Sequence, residues 1–194
     1  MARSTPRRPV VVTVLVAVLA FLGVTALGGG VEMVLLRNGN DYLPITVIEG
    51  VAIVETFLLP GLVLGGVFGL GSLVAAIGVG RRPPVTSLSN VERWTGRHWS
   101  WALTVLLGIG FATWMLLEWV WLGTPWAGDA TASERATTWA LYGIYDAVAI
   151  ALLVLPHLAG VRQHLARRKS HDPAGPSGWA RTTVGLGAGS VRRH

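Results

Sequence analysis

Four long apolar runs divide this chain of 194 residues, and they constrain its fold more than any other feature. The only charged side chains inside them are Glu118 and Asp146. A helix needs about 20 mostly apolar residues to cross a bilayer, and irregular backbone cannot face lipid. The sequence therefore predicts an all-α fold, a four-helix transmembrane bundle within residues 1–161. Its predicted spans cover about residues 10–31, 57–80, 99–122 and 139–161.

The predicted topology separates the charged residues between the two sides of the membrane. Sixteen Lys and Arg against ten Asp and Glu give a net charge of +6, which in a soluble protein would indicate nucleic-acid binding. Threading the chain through four spans instead places fourteen of the sixteen basic residues on one side of the membrane and leaves Arg37 and Arg135 on the other. The positive-inside rule then predicts that both termini lie in the cytoplasm. We expect no nucleic-acid partner.

Two features of the composition narrow the class of protein further. The sequence contains no cysteine, which excludes disulfides, thiolate catalysis and iron–sulfur clusters. Its basic residues are almost all Arg, and Ala, Gly and Val are abundant, which is typical of GC-rich bacterial genes. We therefore expect a multi-pass protein of the bacterial plasma membrane.

Three segments leave alternatives open. Residues 162–194 are basic and rich in Gly, Ser and Pro, which predicts a flexible cytoplasmic tail. Residues 45–55 lie either at the interface or in a re-entrant segment, since 36 residues from Ile45 to Gly80 are too many for one upright span and too few for two. The first run also has a competing interpretation as a cleaved signal peptide, because two arginines precede it.

Small residues recur every four positions on two of the predicted helices. In lipid, helices associate through close backbone approach, which such stripes allow. The pattern predicts packing within the bundle, and a dedicated dimer interface is the alternative. The residues concerned are Gly61, Gly65 and Gly69 on the second span and Gly143 and Ala147 on the fourth.

Acidic residues concentrate on the side opposite the termini, and Asp146 lies deepest among them. A carboxylate at such depth costs a few kcal/mol, so it should face the bundle and find a partner there or be protonated. We expect a polar pocket open to the outside, and the alternative is a structural hydrogen-bond network. The residues predicted to take part are Asp146, Glu118, Tyr142, Glu55 and Arg37.

The opposite side carries histidines and a basic cluster. His98 and His157 lie at similar depth, and facing histidines in a bundle can hold a haem, although neither has a ligand-spaced partner on its own helix. We expect no cofactor, no metal and no catalytic residue, because no phosphate-binding loop or hydrolase motif is present. The cluster that follows the fourth span predicts contact with anionic lipid headgroups. It comprises Arg162, Arg167, Arg168 and Lys169.

The first two spans resemble a group of uncharacterised small four-span bacterial integral membrane proteins. The resemblance rests on residues 27–30, Leu-Gly-Gly-Gly, and on the Phe-Leu-Leu-Pro-Gly-Leu element at 57–62. It implies that a Gly-Gly ends the first helix and that the Pro-Gly-Leu element opens the second. It implies no catalytic residue.

These observations favour a non-enzymatic accessory or structural membrane component. Its expected partners are the lipid bilayer and either a second copy of the chain or another membrane subunit. The alternative function is a small transporter or cation-binding protein that uses the outer-leaflet carboxylates. A haem-binding redox subunit is a third and weaker hypothesis.

Overall fold

A computed structural model of the protein describes residues 8–39, 55–121 and 131–166, and all statements below concern these residues. They fold into helices, with no strand among them beyond one isolated bridge between Arg97 and Ala166. The six helices are α1 (Val10–Leu35), α2 (Leu58–Arg81), α3 (Ser89–Thr95), α4 (Trp99–Trp121), α5 (Ala132–Val154) and α6 (Ala159–His164).

Four of these helices, α1, α2, α4 and α5, are long and apolar enough to cross a membrane. This confirms the predicted four-span helical class. We call the end of the bundle where α1 begins and α5 finishes the basic end, since six arginines lie there within the described residues. We call the other end the acidic end. The basic-end arginines are Arg8, Arg81, Arg82, Arg93, Arg97 and Arg162.

The structure shifts three of the predicted boundaries. The fourth span, helix α5, begins at Ala132 and not near residue 139. It ends in a short 3-10 turn at Leu155–His157, after which Leu158 adopts an extended conformation. Residues 162–166 of the predicted tail continue the short helix Ala159–His164 and include buried Leu165, so this part packs against the bundle. The first helix also continues through its glycines to Leu35. Most of segment 45–55, and residues 167–194, lie outside the described residues.

Helices α1 and α2 cross where glycines bring their backbones into direct contact. Gly30 of α1 meets Gly61 and Gly65 of α2, while Gly69 lies against Leu27. The middle of α2, Val63–Leu70, is a π-helix, a form that usually appears only as a short bulge. Because of these contacts with α1, the stripe at Gly61, Gly65 and Gly69 packs within the bundle.

The corresponding stripe on α5 is not covered by any of the described residues. Gly143 and Ala147 are both exposed, and a Cβ added at Gly143 would meet nothing within 4 Å. Among the described residues, α5 turns its other face, with buried Val148, Ala149 and Leu152, toward its neighbours.

Two helical hairpins, α1 with α2 and α4 with α5, pack together around the core. Phe68 of α2 and Phe111 of α4 meet edge to face with their ring centroids 5.3 Å apart. Leu15, Leu19 and Leu22 of α1 are completely buried. The connection between the hairpins runs along the basic end through α3, which places several polar side chains there.

The Ser-x-x-Glu sequence at residues 89–92 begins α3, as its spacing indicates. Ser89 is already helical, however, and no side chain caps the helix. The carboxylate of Glu92 instead accepts a hydrogen bond from the backbone N–H of Trp99, at 3.3 Å. Glu92 thereby fixes the start of α4 relative to α3.

Candidate functional site

Asp146 lies at the midpoint of the apolar segment Arg135–His157 and turns toward α4. The indole N–H of Trp119 on α4 donates a hydrogen bond to its carboxylate, over 3.3 Å. Asp146 is half-buried and contacts the neighbouring helix, in line with its expected orientation toward the bundle. A charged side chain within an apolar segment is costly in lipid, so the hydrogen bond from Trp119 stabilises the Asp146 carboxylate.

Glu118 provides the second carboxylate at this site. Its oxygen accepts the indole N–H of Trp114, one helical turn earlier on α4. Glu118 and Asp146 lie close enough to interact electrostatically with each other and with the Tyr142 hydroxyl. We call Glu118, Asp146 and Tyr142, together with Trp114 and Trp119, the carboxylate cluster.

Aromatic rings enclose the polar atoms of the carboxylate cluster. The Trp119 ring meets the Tyr142 ring edge to face at 5.0 Å and the Trp139 ring at 5.6 Å, measured between centroids. Trp114 packs on Phe68 of α2 at 5.9 Å. The cluster therefore lies between α4 and α5 and touches the first hairpin on one side.

Two residues predicted for the pocket are not brought into it. Glu55 and Arg37 are exposed near the start of α2 and the end of α1, and the backbone carbonyl of Arg37 accepts the N–H of Phe57 at 3.0 Å. Arg37 forms no ion pair with Glu118 or Asp146 in the part of the chain that the structure describes. The two carboxylates of the cluster thus have indole donors but no cationic partner among those residues.

Trp119 is the residue that the sequence did not assign to the site. Nine tryptophans occur in the chain, and Trp119 has the position expected of an interfacial marker. Its contact with Asp146 depends on the rotation of two helices, which no spacing along one helix can reveal. Within the described ranges, no group of three His, Asp or Glu side chains suited to a metal occurs.

At the basic end, His98 is buried and both of its ring nitrogens have protein partners. Nε2 lies 3.1 Å from the Pro83 carbonyl, which can only accept, so Nε2 carries the proton. In the neutral ring, Nδ1 then accepts the hydroxyl of Ser100 at 2.8 Å. His157 instead packs edge to face on Trp101 and is exposed. A haem ligated by this pair would require His98 to give up one of these bonds.

His164 ties α6 to α2, because its Nε2 donates to the Val79 carbonyl at 3.2 Å. Burial lowers the pKa of His164 below its ordinary value of 6.5. The positive charges of Arg82 and Arg8 and the nearby His98 add to this decrease, while the hydrogen bond to Val79 opposes it. The folded protein therefore favours the neutral ring.

We expect the stability of the protein to fall as the pH drops below about 6.5, because the unfolded chain then binds a proton at His164 more readily than the folded chain does. Above about pH 6.5 the neutral His164 ring predominates in the folded and in the unfolded chain, so no stability is lost there. Melting temperatures in detergent between about pH 7.5 and about pH 5 measure the effect. His164→Asn should flatten this pH dependence, and an unchanged slope in the variant would assign the dependence to other groups.

No family model, curated protein or solved structure matches this chain. The resemblance drawn from its first two spans stays a prediction, and no residue role is carried over from a relative. A function can therefore be inferred only from the contacts of this chain's own residues.

Proposed function

We propose that this chain is a non-enzymatic accessory or structural component of the bacterial plasma membrane, with both termini in the cytoplasm. The orientation is supported by the arginines of the basic end. The observation that carries the proposed role is the hydrogen bond from Trp119 to Asp146, which links α4 to α5 at the midpoint of an apolar segment. In this role the carboxylate cluster fixes the arrangement of the second hairpin.

The exposed face of α5 supports the partners that we propose for such a component. Gly143 and Ala147 lie on this face and leave the backbone of α5 accessible to close packing by another helix. A second copy of the chain or another membrane subunit would supply that helix, and lipid covers the face otherwise.

A second function, binding of a cation or a proton, is favoured by one specific observation. Glu118 and Asp146 are two carboxylates in one apolar site, and no cationic side chain among the described residues pairs with them. Two negative charges in a medium of low dielectric repel each other strongly. A shared proton or a bound cation would remove that repulsion.

Asp146→Asn distinguishes the two functions. The amide oxygen of the new side chain still accepts the Trp119 indole N–H, so a structural role predicts a folded protein that is changed in its stability alone. Trp119→Phe removes the donor and should destabilise the hairpin by about 1 kcal/mol. Unfolding by denaturing detergent, followed by circular dichroism, measures both variants.

Cation and proton uptake into liposomes that contain the protein completes the test. The structural role predicts equal uptake for the natural chain and for Asp146→Asn. A folded Asp146→Asn protein that loses uptake, while Glu55→Gln retains it, would establish the second function instead. Glu55→Gln is a matched control because Glu55 is an exposed carboxylate outside the cluster. Full stability of Trp119→Phe would contradict the structural role.

A further inference from the structure

A groove of about 460 Å³ opens at the basic end, between the end of α3 and the short helix α6. The polar residues that line it are Thr95, Arg97, Arg162 and Gln163. The remaining lining residues are small, which keeps the groove accessible. Two arginines and an amide form a donor-rich surface that is suited to an anion.

The chain segments that form the groove are held in fixed positions. Arg97 and Ala166 are joined by an antiparallel bridge, and the N–H of His98 donates to the Leu165 carbonyl at 2.9 Å. The guanidinium of Arg97 also lies over the ring of Trp101, 4.2 Å from its centroid. Stacking of this kind orients the planar donor group before any ligand arrives.

No carboxylate lines the groove within the described residues. Glu92 is the only acidic residue of α3, and its side chain is turned to the Trp99 N–H and to His98, whose Nε2 lies 3.8 Å away. Arg97 and Arg162 accordingly form no ion pair in the part of the chain that the structure describes. The two arginines that line the groove therefore have no carboxylate partner among the described residues.

The groove lies at the height of the ends of the apolar segments. Trp99 begins one of these segments and His157 ends another, so the groove occupies the level of lipid headgroups when the helices span a bilayer. Trp94, next to Thr95 on α3, is 91% exposed. A fully exposed indole at this level is typical of a side chain that inserts into the membrane interface.

We propose that this groove binds the phosphate of an anionic phospholipid headgroup, with Arg97 and Arg162 as the groups that contact the phosphate. Gln163 supplies a further hydrogen-bond donor, and Trp94 inserts into the interface beside the bound lipid. This site differs from the diffuse attraction of a basic tail because it is a defined groove that includes Arg97, from the loop before α4. It requires only that the four helices span a bilayer, and it is independent of the carboxylate cluster.

Native mass spectrometry of the full chain in neutral detergent, titrated with phosphatidylglycerol or with phosphatidylcholine, tests the proposal. We expect one phosphatidylglycerol molecule to bind more tightly than phosphatidylcholine. Arg97→Gln with Arg162→Gln should weaken its binding about thirtyfold, and lysine at both positions should restore part of it. The matched control is Arg81→Gln with Arg93→Gln, which removes the same charge from exposed positions at the same end and should change the binding less than about threefold.

Three results would overturn the proposal. Equal weakening by the two pairs of substitutions would show diffuse attraction to the basic surface without a site. Equal binding of phosphatidylcholine would exclude selection of anionic lipid. Displacement of the lipid by inorganic phosphate at similar concentration would show a phosphate site that does not recognise lipid. If the groove pair fails to fold, Arg162→Gln alone carries the test, because that side chain is exposed. None of these results depends on Asp146, so they are distinguishable from a failure of the proposed function.

Discussion

Gly30→Ala should lower the free energy of unfolding by about 3 kcal/mol or more and separate the first two helices. A Cβ built on Gly30 would lie 2.4 Å from the backbone nitrogen of Gly65 and 2.5 Å from its Cα, with the Gly61 carbonyl at 2.7 Å. All three atoms belong to the backbone of α2, so no side chain can rotate away. Relief requires the two helices to move apart, and the close contacts on either side of the crossing are then lost as well.

Gly28→Ala is the matched control for this substitution. Gly28 lies on the same helix, and a Cβ at that position would meet nothing within 4 Å. Both variants add one methyl group and change helix propensity equally, so the difference between them isolates the contact with α2. Denaturing-detergent titrations of the two variants provide the measurement. Equal stability would mean that α1 and α2 do not cross at Gly30.

The position of this crossing shows what the sequence predicts about the fold and what it does not. The stripe at Gly61, Gly65 and Gly69 marks one face of α2, because residues four apart share a face of a helix. Its partner is Gly30, in a run of three glycines that the resemblance places at the end of a helix. In lipid all backbone polar groups must be bonded internally, so glycine does not end a helix as readily as it does in water.

On α5, the fourth span, a stripe of small residues does not mark the inward face. Its small residues have the same spacing as those of α2, yet Gly143 and Ala147 face outward. Spacing identifies a face but not its rotation within the bundle, since lipid and protein interior are both apolar. On α5 the rotation follows from the polar contact, with Asp146 turned to Trp119. A lone carboxylate in an apolar run therefore predicts the inward face better than a stripe of small residues does.

The residues of the carboxylate cluster, like the fold, could be predicted only in part from the sequence. Glu118, Asp146 and Tyr142 stand out because they are polar residues in apolar runs, and the structure brings these three together. The sequence places Arg37 and Glu55 on the same side of the membrane as these three residues, which indicates their depth but not their lateral position. The groove at the basic end could not be predicted, because it depends on the return of α6 against the loop before α4 after the chain bends at Leu158.

Gly78→Ala is expected to undock the two hairpins at the basic end, with a loss of about 2 to 3 kcal/mol in the free energy of unfolding. A Cβ at Gly78 of α2 would lie 2.7 Å from the Cβ of Ser100 and 2.7 Å from the outer edge of the Trp99 ring. Neither neighbour can yield easily. Ser100 is completely buried, and the Trp99 indole N–H is bonded to the Pro83 carbonyl at 3.2 Å.

Gly80→Ala is the control, since its nearest neighbours would lie 3.9 Å from the added Cβ. Stability in denaturing detergent and the fluorescence of the interfacial tryptophans measure the difference between the two variants. A normal fluorescence spectrum and full stability in Gly78→Ala would show that the hairpins are not docked at this point. The expected loss would also release the Ser100 hydroxyl from His98. The stability of the basic end would then depend on one missing methyl group, in the same way that the crossing of α1 and α2 depends on Gly30.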